Sequence, residues 1–208
     1  AELAWFAQAV NEGQYALNAV LTADIDLENE PWTPIGNNTA DTTTGEVMYK
    51  GVFNGQGHVV KNLNINNADN KQGLFSYVSG TIKNLGVTGS VTTTGKYAGG
   101  IVGYLSSGKV ENCYSAVTVS AAQNAGGIVG GGYNANASAP NGVRITIENC
   151  VATGTVSGVK NVGGILGGDI FVAQTWDAYT FADNRFTGTV SGSGSAVGGV
   201  IGYYRSLN

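Results

Sequence analysis

Short runs of alternating apolar and polar residues fill most of the chain, and glycine, asparagine and serine separate them. Alternation over four to eight residues is the period of a half-buried strand. One stretch departs from it. In ELAWFAQAV, Leu3, Phe6, Ala7 and Val10 fall on a single helical stripe. The pattern predicts a short N-terminal helix within residues 1–12 that covers the open end of whatever the strands build.

The strand runs recur in register with one another. Gly99-Gly100, Gly126-Gly127, Gly163-Gly164 and Gly198-Gly199 lie 27, 37 and 35 residues apart, and Gly73-Leu74-Phe75 is an earlier variant. After each pair comes a second column: TIKNL at 81–85, KVENC at 109–113, TIENC at 146–150 and TFADN at 180–184, with VKNL at 60–63 as a forerunner. A third column ends at Val91, Val119, Val156 and Val190. Periods of this length mean stacked units that rest on their neighbours. Three strands per unit, with like residues ~4.8 Å apart up the axis, predict an all-β fold. Its form would be a right-handed parallel β-helix, a solenoid of three short strands per coil with a short N-terminal capping helix. A propeller fits less well, because its blades need ~40 residues and the turns here are not of the Asn-Gly hairpin type. One domain is expected over 1–208: a cap at 1–12, lead-in coils at 13–70 and regular repeats at 71–208. The glycine pairs are expected at a repeated corner, with positive φ and close approach of neighbouring coils. Asn62, Asn84, Asn112, Asn149 and Asp183 are expected to stack as a structural ladder.

Composition narrows the function. The net charge is −4 and only 10 residues are Lys or Arg, without a basic run, which argues against nucleic acid as a partner. No apolar run approaches the ~20 residues of a membrane helix, so no membrane insertion is expected. Charged residues are 12 % and Gly contributes 33 positions, which suits many short strands joined by tight turns.

GGIVGY (99–104), GGIVG (126–130), GGILG (163–167) and GLFSY (73–77) resemble the GLUG motif repeats of bacterial secreted and surface proteins, including some immunoglobulin A peptidases and adhesins. The lead-in LTADIDL, PWTPIG and GVFNGQGHVVKNLNI is similar to the segment that precedes such repeats. The resemblance implies a right-handed parallel β-helix in a large extracellular protein, where such repeats accompany catalytic domains without being catalytic. The rest of a larger parent chain is expected beyond GGVIGYYRSLN. The long insertions after Gly130 and Gly167 depart from the regular repeat.

Candidate chemistry is sparse. His58 in FNGQGH has only Asn54 and Gln56 beside it in sequence, and reads as a polar residue closing a turn. Asp24 and Asp26 in TADIDLE point to one side of a strand ~7 Å apart; this is a carboxylate pair, half a calcium site or a solvated face. Asp169, Asp177 and Asp183, with Arg185 nearby, carry the rival reading of a polysaccharide-active lyase or hydrolase. Cys113 and Cys150 follow an Asn in equivalent positions and are expected as buried thiols, since in-register neighbours hold Cβ atoms wider than a disulfide prefers. No metal or cofactor set is legible. Two surfaces remain. Thr88, Ser90 and Thr92, with their equivalents up to Thr187, Thr189 and Ser191, form a hydroxyl face like that of ice-binding solenoids. The insertions at 131–144 and 168–179 should lie side by side as one ridge bearing Tyr133, Phe171, Trp176, Asp177 and Tyr179. Loops on a rigid scaffold are where binding concentrates, and aromatics suit sugar rings or protein contacts. The favoured reading is a non-catalytic extracellular scaffold or adhesion module of a bacterial surface or secreted protein, with host glycan or protein as its partner.

Overall fold

A computed structural model of the protein describes residues 2–37, 47–134, 145–172 and 179–206. The helical stripe forms α1, Glu2–Asn11, which buries Leu3, Phe6, Ala7, Ala9 and Val10. Phe6 meets Tyr49 edge-on at 5.8 Å between ring centroids and Phe53 at 5.7 Å, so the helix closes one end of the core with aromatic contacts.

The strands gather into three sheets in which all pairings are parallel. The first sheet runs from β1 (Ala19–Val20) through Val52–Asn54, Thr81–Lys83, Gly108–Glu111 and Ile145–Glu148 to Tyr179–Ala182. The second begins at β2 (Ile25–Asp26) and passes through Val59–Asn67, Gly86–Thr93, Tyr114–Gly126 and Val151–Ala152 to Arg185–Phe186. Thr155–Gly163 and Thr189–Gly192 continue it alongside. The third orders Phe75–Val78, Val102–Leu105, Val129–Asn134, Leu166–Val172 and Tyr204–Ser206. Spatial order follows chain order, so a regular repeat visits all three sheets before the next begins.

The columns read from the sequence are the strand register, except that VKNL at 60–63 lies in the second sheet and Val52–Asn54 takes its expected place beside Thr81–Lys83. Val91 pairs with Val119, Val119 with Val156 and Val156 with Val190. Gly99 pairs with Gly126, Gly126 with Gly163 and Gly163 with Gly198. The hydroxyl columns also align, Ser90 with Thr118, Thr92 with Ser120 and Ser157 with Ser191, but Asn64 and Asn66 interrupt them in the lead-in. Inward positions such as Val87, Val91, Ile101, Ile128, Val156 and Ile165 are fully buried. Each contributes roughly 1.5–3 kcal/mol by leaving water.

The glycine pairs differ from expectation in an instructive way. None of them has positive φ. A Cβ on Gly100 would sit 2.4 Å from the carbonyl oxygen of Gly127, one on Gly127 2.2 Å from that of Gly164, and one on Gly164 2.2 Å from that of Gly199. Glycine is therefore demanded by the approach of neighbouring backbones. The left-handed turn falls earlier, on Tyr97, Asn124, Asn161 and Ala196, with φ between 57° and 66°.

Candidate functional site

The two insertions extend the third sheet. Its regular strand Val102–Leu105 has 4 residues, whereas Val129–Asn134 has 6 and Leu166–Val172 has 7. Gly131 pairs with Gly168; after a register shift, Gly132 pairs with Ile170, Tyr133 with Phe171 and Asn134 with Val172. The shift accommodates Asp169, the one extra residue on the longer strand. Phe171 in turn pairs with Arg205. The fold thus brings Tyr133 and Phe171 to adjacent positions on one sheet, about 4.8 Å apart along the stacking direction. Trp176 and Asp177 lie outside the described residues. Tyr179 is placed elsewhere, at the head of the first-sheet strand Tyr179–Ala182, where it pairs with Ile145. It is half-buried against the core, and its ring stacks on Phe181 at 6.1 Å and 23°.

The asparagine corner between the first and second sheets is a hydrogen-bonded column. Asn84 Nδ2 donates to Asn54 Oδ1 at 2.9 Å, Asn112 to Asn84 at 3.3 Å and Asn149 to Asn112 at 2.6 Å. Asn84, Asn112 and Asn149 have φ of 51–53°, a left-handed conformation that Asn tolerates better than most residues. The lowest member is Asn54, not Asn62. Asn62 sits at a register shift between Val60 and Leu63, out of the column, and donates instead to Asp26 Oδ1 at 2.8 Å. Asp183 shares the corner backbone with φ 53°, while the bond at that level comes from its neighbour, Asn184 Oδ1 accepting from the Cys150 N–H at 3.0 Å.

A second ladder was invisible in the sequence. Between the second and third sheets, Asn161 Nδ2 donates to Asn124 Oδ1 at 2.7 Å, and both residues are buried. Tyr97 and Lys71 hold the same conformation one and two levels before Asn124, and Ala196 one level after Asn161. Lys71 is also buried, with its ammonium over the rings of Tyr77 and Tyr104 at 5.2 and 5.7 Å. Four residue types serve one corner, so no single letter marks it.

The lead-in carboxylates are committed to neighbours. Asp24 Oδ2 lies 2.8 Å from Lys61 Nζ, and its Oδ1 accepts from the Val59 N–H at 3.0 Å and lies 3.4 Å from His58 Nδ1. The Lys61 bond, followed by the Val59 N–H, lowers its pKa to about 2. Asp26 Oδ1 accepts from Glu28 N–H and from Asn62, and both bonds hold its carboxyl below the usual range. His58 therefore does face an acid, from the residue just before β2, 34 residues earlier in the chain. The backbone N–H of His58 also closes the turn to Gly55 O at 2.8 Å. This is a polar clamp that fastens β2 onto Val59–Asn67.

Cys113 and Cys150 are free and buried, with each Sγ directed at backbone carbonyls. Burial pushes the Cys113 thiol up. Among the described residues, no three His, Cys, Asp or Glu side chains gather as a metal site, and no helix is long and apolar enough to cross a membrane.

Comparison with known proteins supplies context for this geometry. Residues 94–120 match the model of the GLUG motif. The matched stretch runs from Lys96–Gly99 through Val102–Leu105 and Gly108–Glu111 into Tyr114–Gly126, so one motif is one passage through all three sheets. A comparison with curated proteins finds no match. Among solved structures, a crystal structure from Bacteroides ovatus, described as that of a candidate immunoglobulin A1 protease, aligns with a TM-score of 0.58. The two are 20 % identical over 98 % of this chain and 81 % of that one. The likeness is one of fold.

Proposed function

We propose that this chain is a non-catalytic module of a secreted or surface protein, and that it binds a glycan or a protein of a host through the ridge formed by its insertions. The GLUG motif at 94–120 and the shared fold support the secreted or surface context. In this reading the three parallel sheets are the faces of a right-handed parallel β-helix, the hand that crossovers between parallel strands almost always take. The observation that carries the binding site is the pairing of Tyr133 with Phe171. Two insertions that stacking does not require are registered against each other on one rigid sheet. Ordering such residues costs on the order of 1–2 kcal/mol each in backbone entropy, which packing or a ligand must offset. Trp176 and Asp177 belong to the same insertion in sequence and are included in the proposed surface, whereas Tyr179, in the first sheet beside Ile145, is not.

The test is a glycan array and a host-protein panel probed with the full chain. Binding should fall at least tenfold in Trp176→Ala and Tyr133→Ala and persist in Thr155→Ala on the hydroxyl face. Loss only in Thr155→Ala would move the site to the second sheet. Sugar release from polysaccharides, abolished by Asp169→Asn or Asp177→Asn, would replace the binding module with an enzyme.

A further inference from the structure

The second sheet contains a gap that stacking does not require. Where its strands begin, one column reads Val59, Gly86, Tyr114, Val151 and Arg185 up the axis. Gly86 alone in that column has no side chain. Its φ is not positive, and the three atoms nearest a Cβ there would all belong to the Val59 side chain, the closest at 2.8 Å. Neither a left-handed turn nor a neighbouring backbone therefore demands glycine at this position. Glycine in a strand also serves where a ligand comes close.

A cleft of about 660 Å³ opens here, within the size range of small-molecule sites. Its lining reaches solvent: Tyr114 is 40 % exposed, Gln56, Gly57 and Asn112 are exposed, and Val59 and Asn84 are half-buried. The Tyr114 hydroxyl is hydrogen-bonded to Thr153 Oγ1 at 3.1 Å, which holds the ring across the neighbouring coil. Asn84 and Asn112 each use one N–H and one acceptor position on the asparagine column. A side-chain amide has two of each, so half of that capacity is left for a ligand.

We infer that this cleft binds a neutral oligosaccharide, with a sugar ring against Tyr114 and its hydroxyls on Asn84, Asn112 and Gln56. Among the described residues, no charged side chain lines the cleft, and His58 is turned to Asp24. An ionic ligand would find no counter-charge there. A wholly apolar one would strip water from the amides without replacing its hydrogen bonds. A sugar carries both surfaces, a C–H face for the aromatic ring and a rim of donors and acceptors for the amides. The site belongs to the regular coils and does not depend on the ridge, which lies on the third sheet.

The probes are tetrasaccharides of glucose, mannose, galactose and N-acetylglucosamine, titrated calorimetrically. The full chain carries Tyr133→Ala and Trp176→Ala, so that the ridge contributes nothing. At least one tetrasaccharide should bind. Its affinity should fall about tenfold or more in Tyr114→Ala and in Gly86→Val, which fills the gap. Tyr114→Phe keeps the ring and should stay within about threefold. Gln56→Ala changes an exposed side chain and should weaken binding measurably, which keeps the test decisive should Gly86→Val misfold. Binding of none of them, binding indifferent to Tyr114→Ala or to Gln56→Ala, equal losses in Tyr114→Phe and Tyr114→Ala, or a preference for anionic tetragalacturonate would each overturn the inference.

Discussion

The two corners that flank the second sheet use asparagine alike and differ in exposure. At one, Asn112 and Asn149 stand exposed to water; at the other, Asn124 and Asn161 are 2 % and 6 % exposed. The backbone demand is the same, φ between 51° and 58° in all four. The difference separates two roles of one residue. At the exposed corner Asn chiefly tolerates the left-handed turn, and water can replace its amide bond. At the buried corner it must also satisfy another amide where water does not reach.

The comparison is most easily broken at Asn161. Asn161→Ala forces an ordinary side chain into the left-handed region and orphans the buried Asn124 Oδ1, so thermal unfolding should show a loss of about 2–4 kcal/mol. Asn112→Ala should lose only the conformational part, about 1–2 kcal/mol. Glycine sharpens the contrast by removing that part. Asn161→Gly should still cost about 1–3 kcal/mol, while Asn112→Gly should be nearly neutral by the same measurement. Equal losses at the two corners would show that burial does not set their difference.

The buried ladder also has a defect. Asn161 Oδ1 is buried without a hydrogen-bond partner, and at the next level Ala196 holds the corner with φ 61°. An asparagine there would donate to that oxygen and suit the conformation better. Ala196→Asn should stabilise the protein by about 1 kcal/mol, a rise of roughly 2–4 °C in the melting temperature. No rise would mean that the ladder does not propagate.

The smallest effect belongs to the exposed clamp at Asp24. Its pKa is lowered from the ordinary 3.8 to about 2. A group lowered by folding stabilises above its unfolded value and loses that contribution as pH falls through its folded value. The melting temperatures of wild type and Asp24→Asn should therefore differ at about pH 6 and converge as pH falls from ~4 towards ~2. A constant gap across that range would count against the clamp.

What the sequence disclosed follows from what repeats. Valine and glycine columns were legible because stacking places the same side chain in the same environment each time. The exposed corner was legible because Asn84, Asn112 and Asn149 are of one type, while Asn54 below them went unread; Asn62 misled because a local register shift, which leaves no mark in composition, moves it aside. The buried corner escaped because Lys71, Tyr97, Asn124, Asn161 and Ala196 share a conformation and no chemistry. The meeting of Asp24 with His58 and Lys61 escaped for another reason: strand pairing joins positions more than 30 residues apart. Of the candidate ridge, the adjacency of Tyr133 and Phe171 followed from equal placement of the insertions in successive repeats. Tyr179 was misplaced because the next regular strand begins with it.

Apart from the cleft at Tyr114, the repeats serve stacking, and binding is proposed for the insertions alone. The most direct test replaces both insertions, 131–144 and 168–179, with turns of regular repeat length in a chain that also carries Tyr114→Ala, and measures thermal stability together with glycan and host-protein binding. The account predicts a cooperative transition within a few degrees of wild type and no binding. A protein that no longer folds, or one that folds and binds as wild type does, would contradict it.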